Sequence, residues 1–124
     1  MTRFTVRIDI QAPPERALAV LCDVERWPDW TSTVTGVQRL DSGPFGVGSR
    51  ARVRQPTLLP AVWEVTDLDE RNGFTWVTRR PGLEIKGGHW VEPNRTASKV
   101  TLSLEYSGLF GPLAARIYRG LSRR

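Results

Sequence analysis

Chemistry near neutral pH begins with His89, the one histidine among 124 residues, because imidazole alone changes its charge there without help from its surroundings. His89 follows Leu83, Ile85 and Gly87 and precedes Val91 at intervals of two, the pattern of one face of a strand. Taking the more apolar face of each strand as the inner one sets Gln55 beside Val53, Thr78 beside Phe74 and Trp76, and Tyr106 beside Val100, Leu102 and Leu104. Each of these four polar groups needs a partner, since one left unpaired in a core costs about 1–3 kcal/mol. A neighbour, a water or a ligand would serve. In a catalytic site His89 would be the proton shuttle. Tyr106 or Gln55 would then serve as a hydrogen-bond donor beside it, with Tyr106 the best inner-face partner for the histidine. In a structural reading His89 is bonded to backbone or water.

Around these groups stand aromatic side chains. Of five tryptophans, Trp27, Trp30, Trp63 and Trp76 fall where they can line or roof a cavity, together with Trp63's neighbour Val65; Trp90 has outward parity. Aromatic walls offer large apolar area with one polar handle per indole, which suits a flat or isoprenoid ligand, and they equally suit plain core packing.

Other chemistries are excluded by what is missing. Cys22 is the only cysteine, so no intramolecular disulfide can form, and the thiol reads as a small core group. No HExxH or GxSxG occurs, and Asp23, Glu25 and Asp29 do not match a calcium loop, so no metal is expected. Gly43-Pro44-Phe45-Gly46-Val47-Gly48-Ser49 lacks the GK[ST] ending of a phosphate loop and joins two strands; it reads as a mobile hairpin loop that either covers the cavity mouth or simply turns. No cofactor is required. The net charge of +5 owes all but one unit to Arg116, Arg119, Arg123 and Arg124, the spacing of a helix's polar face, so nucleic acid is not the expected partner. No apolar run reaches the roughly 18 residues of a membrane span and no leader precedes the first strand, which points to a cytoplasmic protein. Arginine outnumbers lysine sixteen to two, as GC-rich bacterial coding would produce.

The elements that must position these residues follow from periodicity. Phe4, Val6, Ile8 and Ile10 alternate with polar residues in a first strand. Ala12-Pro13-Pro14-Glu15 breaks it and opens a helix to Cys22 whose apolar face is Ala17, Leu18, Leu21 and Cys22; a second short helix runs from Val24 to Trp30, limited by Pro28. Strands are expected over 33–40, 49–55, 61–68, 73–79, 83–92 and 98–107, joined by hairpins at 69–73, 80–82 and 92–95. From Gly108, the set Phe110, Leu113, Ala114, Ile117 and Leu121 has helical spacing. The result is one α+β domain over 1–124, a curved antiparallel sheet of about seven strands with two short helices after the first, wrapped around a terminal helix. The space between sheet and helix would hold a small molecule.

At the level of motifs, Asp23-Val24-Glu25-Arg26-Trp27-Pro28-Asp29-Trp30, Val47-Gly48-Ser49-Arg50, Val53-Arg54-Gln55-Pro56, Trp63-Glu64-Val65, Phe74-Thr75-Trp76 and His89-Trp90-Val91-Glu92-Pro93 resemble the polyketide cyclase/dehydrase branch of the SRPBCC superfamily, the START-like or helix-grip proteins. The resemblance covers nearly the whole chain. It implies the helix-grip fold and a hydrophobic cavity that in relatives takes polyketides, lipids, sterols or plant hormones, with cyclisation and dehydration in some and carriage in others. It carries Trp27, Trp30, Gln55, Trp63, Trp76 and His89 over as cavity or loop positions, and no shared catalytic set. Relatives usually have a longer closing helix; here it is either shortened or truncated, and an uncovered apolar face would favour a homodimer.

The function expected is therefore binding of a hydrophobic or aromatic small molecule at Trp27, Trp30, Gln55, Trp63, Trp76, Thr78, His89 and Tyr106, with cyclase- or dehydrase-like chemistry through His89 and Tyr106 if it is an enzyme. The alternative is a non-catalytic lipid carrier, or a module that docks on an acidic partner through its basic terminal helix.

Overall fold

Alternation of apolar and polar side chains makes strands, and in the computed structural model, which describes residues 2–108, it makes seven of them. They are β1 (Thr2–Ile10), β2 (Gly36–Arg39), β3 (Arg50–Arg54), β4 (Ala61–Asp69), β5 (Gly73–Arg80), β6 (Leu83–Asn94) and β7 (Ala97–Ser107). All pair antiparallel in one sheet of order β1-β7-β6-β5-β4-β3-β2, so that consecutive hairpins build the sheet from β2 to β7 and the first strand closes on the last. In that closure Phe4 lies opposite Leu104 and Ile8 opposite Val100. On β4 the register shifts between Val65 and Asp67, a bulge that bends the strand and supports the curvature of the sheet.

One expected turn is not where it was placed. Glu92-Pro93-Asn94 belongs to β6, which pairs on to Asn94 opposite Ala97, and the reversal falls at Arg95 and Thr96. Proline is tolerated here because Val91, two residues earlier, donates its N–H to Asn72 at the β4–β5 turn. The nitrogen of Pro93 faces the same side, beyond the end of β5, where no strand needs a donor. The strand expected to begin at residue 33 begins at Gly36; Thr31 and Thr33 instead join their hydroxyls at 2.9 Å in the preceding turn.

Helix α1 (Pro14–Cys22) starts with proline, whose missing N–H costs nothing in a first turn, and with Glu15 near the positive end of the helix dipole. It buries Ala17 and Leu21, with Leu18 and Cys22 packed half-buried beside them. Burial pushes the Cys22 thiol pKa up, in keeping with an inert core thiol. A 3₁₀ helix, Val24–Asp29, follows, and carries Pro28 inside it. Both sit on the concave face, where Leu21, Val24 and Trp27 join Val65, Phe74, Val91 and Val100 in one core. Ser98, fully buried, donates its hydroxyl to the Ala12 carbonyl at 2.6 Å and ties the entry of α1 to β7. The helix expected beyond Gly108, with its four arginines, lies outside the described residues. Among the described residues no helix is long and apolar enough to cross a membrane.

Candidate functional site

Register decides which side chains meet on the concave face. Phe74 on β5 stands opposite His89 on β6, and the rings stack at 4.4 Å and 19°. Trp76 stands opposite Gly87. A side chain at 87 would put its Cβ 3.2 Å from Cδ1 and Nε1 of the indole, so the glycine is what lets Trp76 lie across β6. Trp63 on β4 meets Trp76 at 5.6 Å. The 3₁₀ helix lowers Trp27 onto this group, 5.1 Å from both Trp76 and His89. Its indole N–H donates to the Leu21 carbonyl at 3.0 Å, satisfying an acceptor that the end of α1 would otherwise leave unpaired.

His89 is thus enclosed by rings. Burial pushes its pKa down to about 4, against a smaller upward effect of its bond to the Phe74 carbonyl, so the imidazole is neutral at pH 7. Nδ1 lies 3.4 Å from that carbonyl oxygen. A carbonyl only accepts, so Nδ1 carries the proton and Nε2 keeps its lone pair. Trp63 has the opposite character: its Nε1–H is buried and has no hydrogen-bond partner among the described residues. Most buried donors are satisfied, and an orphan one in an aromatic wall is a place for a ligand acceptor.

The other expected residues are distributed around this centre. Thr78 is buried on β5 opposite Ile85, and Tyr106 is buried on β7 opposite the same Ile85, edge-on to Phe4 at 5.8 Å. His89 lies four residues beyond Ile85, about 13 Å along β6. His89 and Tyr106, which parity puts on one face without fixing the distance between them, therefore mark different ends of the concave face. Gln55 is half-buried, and its amide donates to the Thr33 carbonyl at 3.3 Å. Trp30 is 45% exposed at the rim, 6.0 Å from Trp27.

One neighbour was not anticipated as part of the site. Phe45, from the loop between β2 and β3, turns inward and meets Phe74 edge to face at 4.9 Å. A phenylalanine flanked by Pro44 and Gly46 was the available signal, but nothing in the alternation rules covers loop side chains. On the outer face, a separate groove of about 290 Å³ is lined by Arg50, Val62, Glu64, Val77, Arg79 and Arg80 and bordered by Thr78. Its charges are largely paired, Arg50 with Glu64 at 3.7 Å and Arg79 with Glu84 at 2.9 Å. Among the described residues no three His, Cys, Asp or Glu side chains gather as metal ligands would.

Solved structures share this architecture at low sequence identity. XoxI from Bacillus cereus superposes with a TM-score of 0.78 at 14% identity, over 98% of this chain and 88% of that one. A START superfamily protein from Mycobacterium smegmatis gives 0.73 at 13%, covering 98% and 92%. The di-domain ARO/CYC BexL of the BE-7585A biosynthetic pathway gives 0.75 at 20%, over 99% of this chain and 43% of that longer one. These likenesses establish the fold. No curated protein matches the sequence. The model of the family described as polyketide cyclase / dehydrase and lipid transport matches residues 1–124, and with the curved seven-stranded sheet this places the chain in that START-like family.

Proposed function

We propose that the protein is a single-domain binder of a flat hydrophobic or aromatic small molecule, held on the concave face against Trp63, Trp76 and Trp27. The observation that carries this is the buried Trp63 Nε1–H, which faces no protein acceptor among the described residues while the wall around it is aromatic. A ligand with one carbonyl or hydroxyl oxygen at its edge would satisfy that donor, and its ring system would stack on the indoles. Neutral His89, with a lone pair on Nε2, suits a ligand hydroxyl. Thr78 and Tyr106 are assigned to the far end of the same space, and Trp30 and Gln55 to its rim. The family's description, which includes both cyclase/dehydrase and lipid transport, supports a hydrophobic ligand.

Binding is favoured over cyclase-like proton transfer by the histidine itself. A general base works best with a pKa near the working pH, and burial among the rings pushes the His89 pKa well below that, down to about 4. No cofactor is called for. Native mass spectrometry of freshly purified protein, with organic extraction of what is released, tests the reading, and a discrete adduct supports it. In a fluorescence titration with 2-naphthol, Trp63→Phe, which removes the indole N–H together with the pyrrole part of the ring system, is expected to weaken binding at least about fivefold, and Trp76→Ala to abolish it. A protein that carries no adduct and takes up neither aromatic nor fatty-acid probes would refute it.

A further inference from the structure

The loop from Gly43 to Ser49 carries two apolar side chains, and they go opposite ways. Val47 is 67% exposed. Phe45 is turned in, with its ring at 82° to Phe74 and 4.9 Å away. Phe74 in turn stands edge-on to Trp76 at 5.5 Å, and Trp76 meets Trp63 at 5.6 Å. The rings form a continuous row with Phe45 as its last member, at the end of the concave face away from Tyr106.

A hairpin loop was expected to be mobile, yet this one is held at many points. Arg39, the last residue of β2, donates from Nη1 to the Gly43 carbonyl at 2.9 Å and from Nη2 to Asp41 Oδ2 at 2.8 Å. Its guanidinium carbon lies 5.7 Å from the centre of the Phe45 ring, a cation–π contact. Asp41 also accepts from the Arg50 N–H at 2.7 Å, which joins the two strands across the loop. Farther on, Gly46 N–H donates to Ser49 Oγ at 3.0 Å and Gly48 N–H to the Val65 carbonyl at 2.8 Å. Gly43 and Gly48 have φ of +92° and +91°, a backbone conformation that glycine takes without strain. Two glycine corners thus fold the loop inward, and Arg39 fastens it there.

We propose that Phe45, positioned by Arg39, is the end wall of the ligand space and sets how many fused rings a ligand can have. This deepens the binding reading above and rests on it. A planar ligand stacked on Trp76 runs toward Phe74, and the Phe45 ring behind Phe74 stops that side chain from yielding to a longer one. Neither Arg39 nor Phe45 touches the polar groups that would orient the ligand. Their effect should fall on length and not on the hydrogen bonds.

The test is a pair of probes that differ by one ring, 2-naphthol and 2-anthrol, titrated against the full chain and three variants. Phe45→Ala is expected to shift the ratio of the two affinities toward 2-anthrol by about tenfold, and Phe45→Leu by less. Arg39→Ala, which leaves Phe45 in the sequence but unfastens the loop, should shift it in the same direction; a merely stabilising arginine would lower both affinities together. Chemical unfolding is run on each variant, and if Phe45→Ala does not fold, Phe45→Leu decides. Probes that bind with an unchanged ratio in the folded Phe45 variants would overturn the end wall and leave the binding reading intact. Failure of every probe to bind the unaltered protein would remove the binding reading, and the end wall with it.

Discussion

A buried imidazole records its surroundings in its titration. Phe74, Trp27 and Trp76 displace the water that would solvate a charged His89, and the Phe74 carbonyl compensates only in part, which brings the pKa to about 4. The unfolded chain protonates near 6.5. Between those values the unfolded state binds a proton that the native state does not, so stability is full above the upper one and falls as the pH drops through the window. The whole difference amounts to about 3 kcal/mol. Asp41 and Asp69 do not obscure it, because hydrogen bonds from the backbone N–H groups of Arg50 and Arg71 hold their pKa values below the usual 3.8. Urea unfolding at about pH 7 and about pH 4.5 should show the loss, and His89→Gln should remove most of it. An equal stability at both pH values would mean that the ring is solvated.

At the scale of the element, β6 gives both of its faces to tryptophan through adjacent glycines. Trp76 crosses Gly87 on the concave side; on the outer side Trp90 and Ser103 crowd Gly88, where a Cβ would sit 3.1 Å from the Trp90 Nε1 and 2.5 Å from the Ser103 hydroxyl. Adding a branched side chain at either position overpacks the strand, at a cost of about 1–3 kcal/mol. Gly87→Val and Gly88→Val are therefore both expected to lower the urea midpoint. Only Gly87→Val should also abolish probe binding, because only it displaces Trp76. Loss of binding in Gly88→Val, with Gly87→Val still binding, would put the ligand on the wrong face.

Over the whole molecule, ligand binding and folding share one equilibrium. A ligand at about a hundred times its Kd adds roughly 2.7 kcal/mol to the stability of the native state. Saturating 2-naphthol should raise the unfolding free energy of the unaltered protein by that order and leave Trp76→Ala unmoved. The proposed wall is uncharged, since His89 is neutral and its neighbours are indoles and phenyl rings. Affinity measured from low to high salt should accordingly stay nearly constant, whereas docking through the arginines beyond residue 108 would weaken steeply as the charges are screened. A strong salt dependence of probe binding would count against the concave face as the site.

Much of the architecture was legible because it depends on local rules. Alternation located all seven strands, proline and acid placement located α1, and the inward parity of Trp63, Trp76, Thr78, His89 and Tyr106 agrees with their burial. Motifs along the chain indicated the family. What alternation cannot supply is distance along the sheet: it sets His89 and Tyr106 on the same face, while the register places one opposite Leu102 and the other opposite Ile85. Nor does a one-dimensional pattern say which loop side chain folds back, as Phe45 does, or that Pro93 can stay in β6 because β5 has already ended. Periodicity is a property of neighbouring residues and is written in the sequence; the register of long-range pairing, the loss of water around His89 and the burial of a Trp63 N–H that meets no acceptor among the described residues are properties of packing, and only the folded chain decides them.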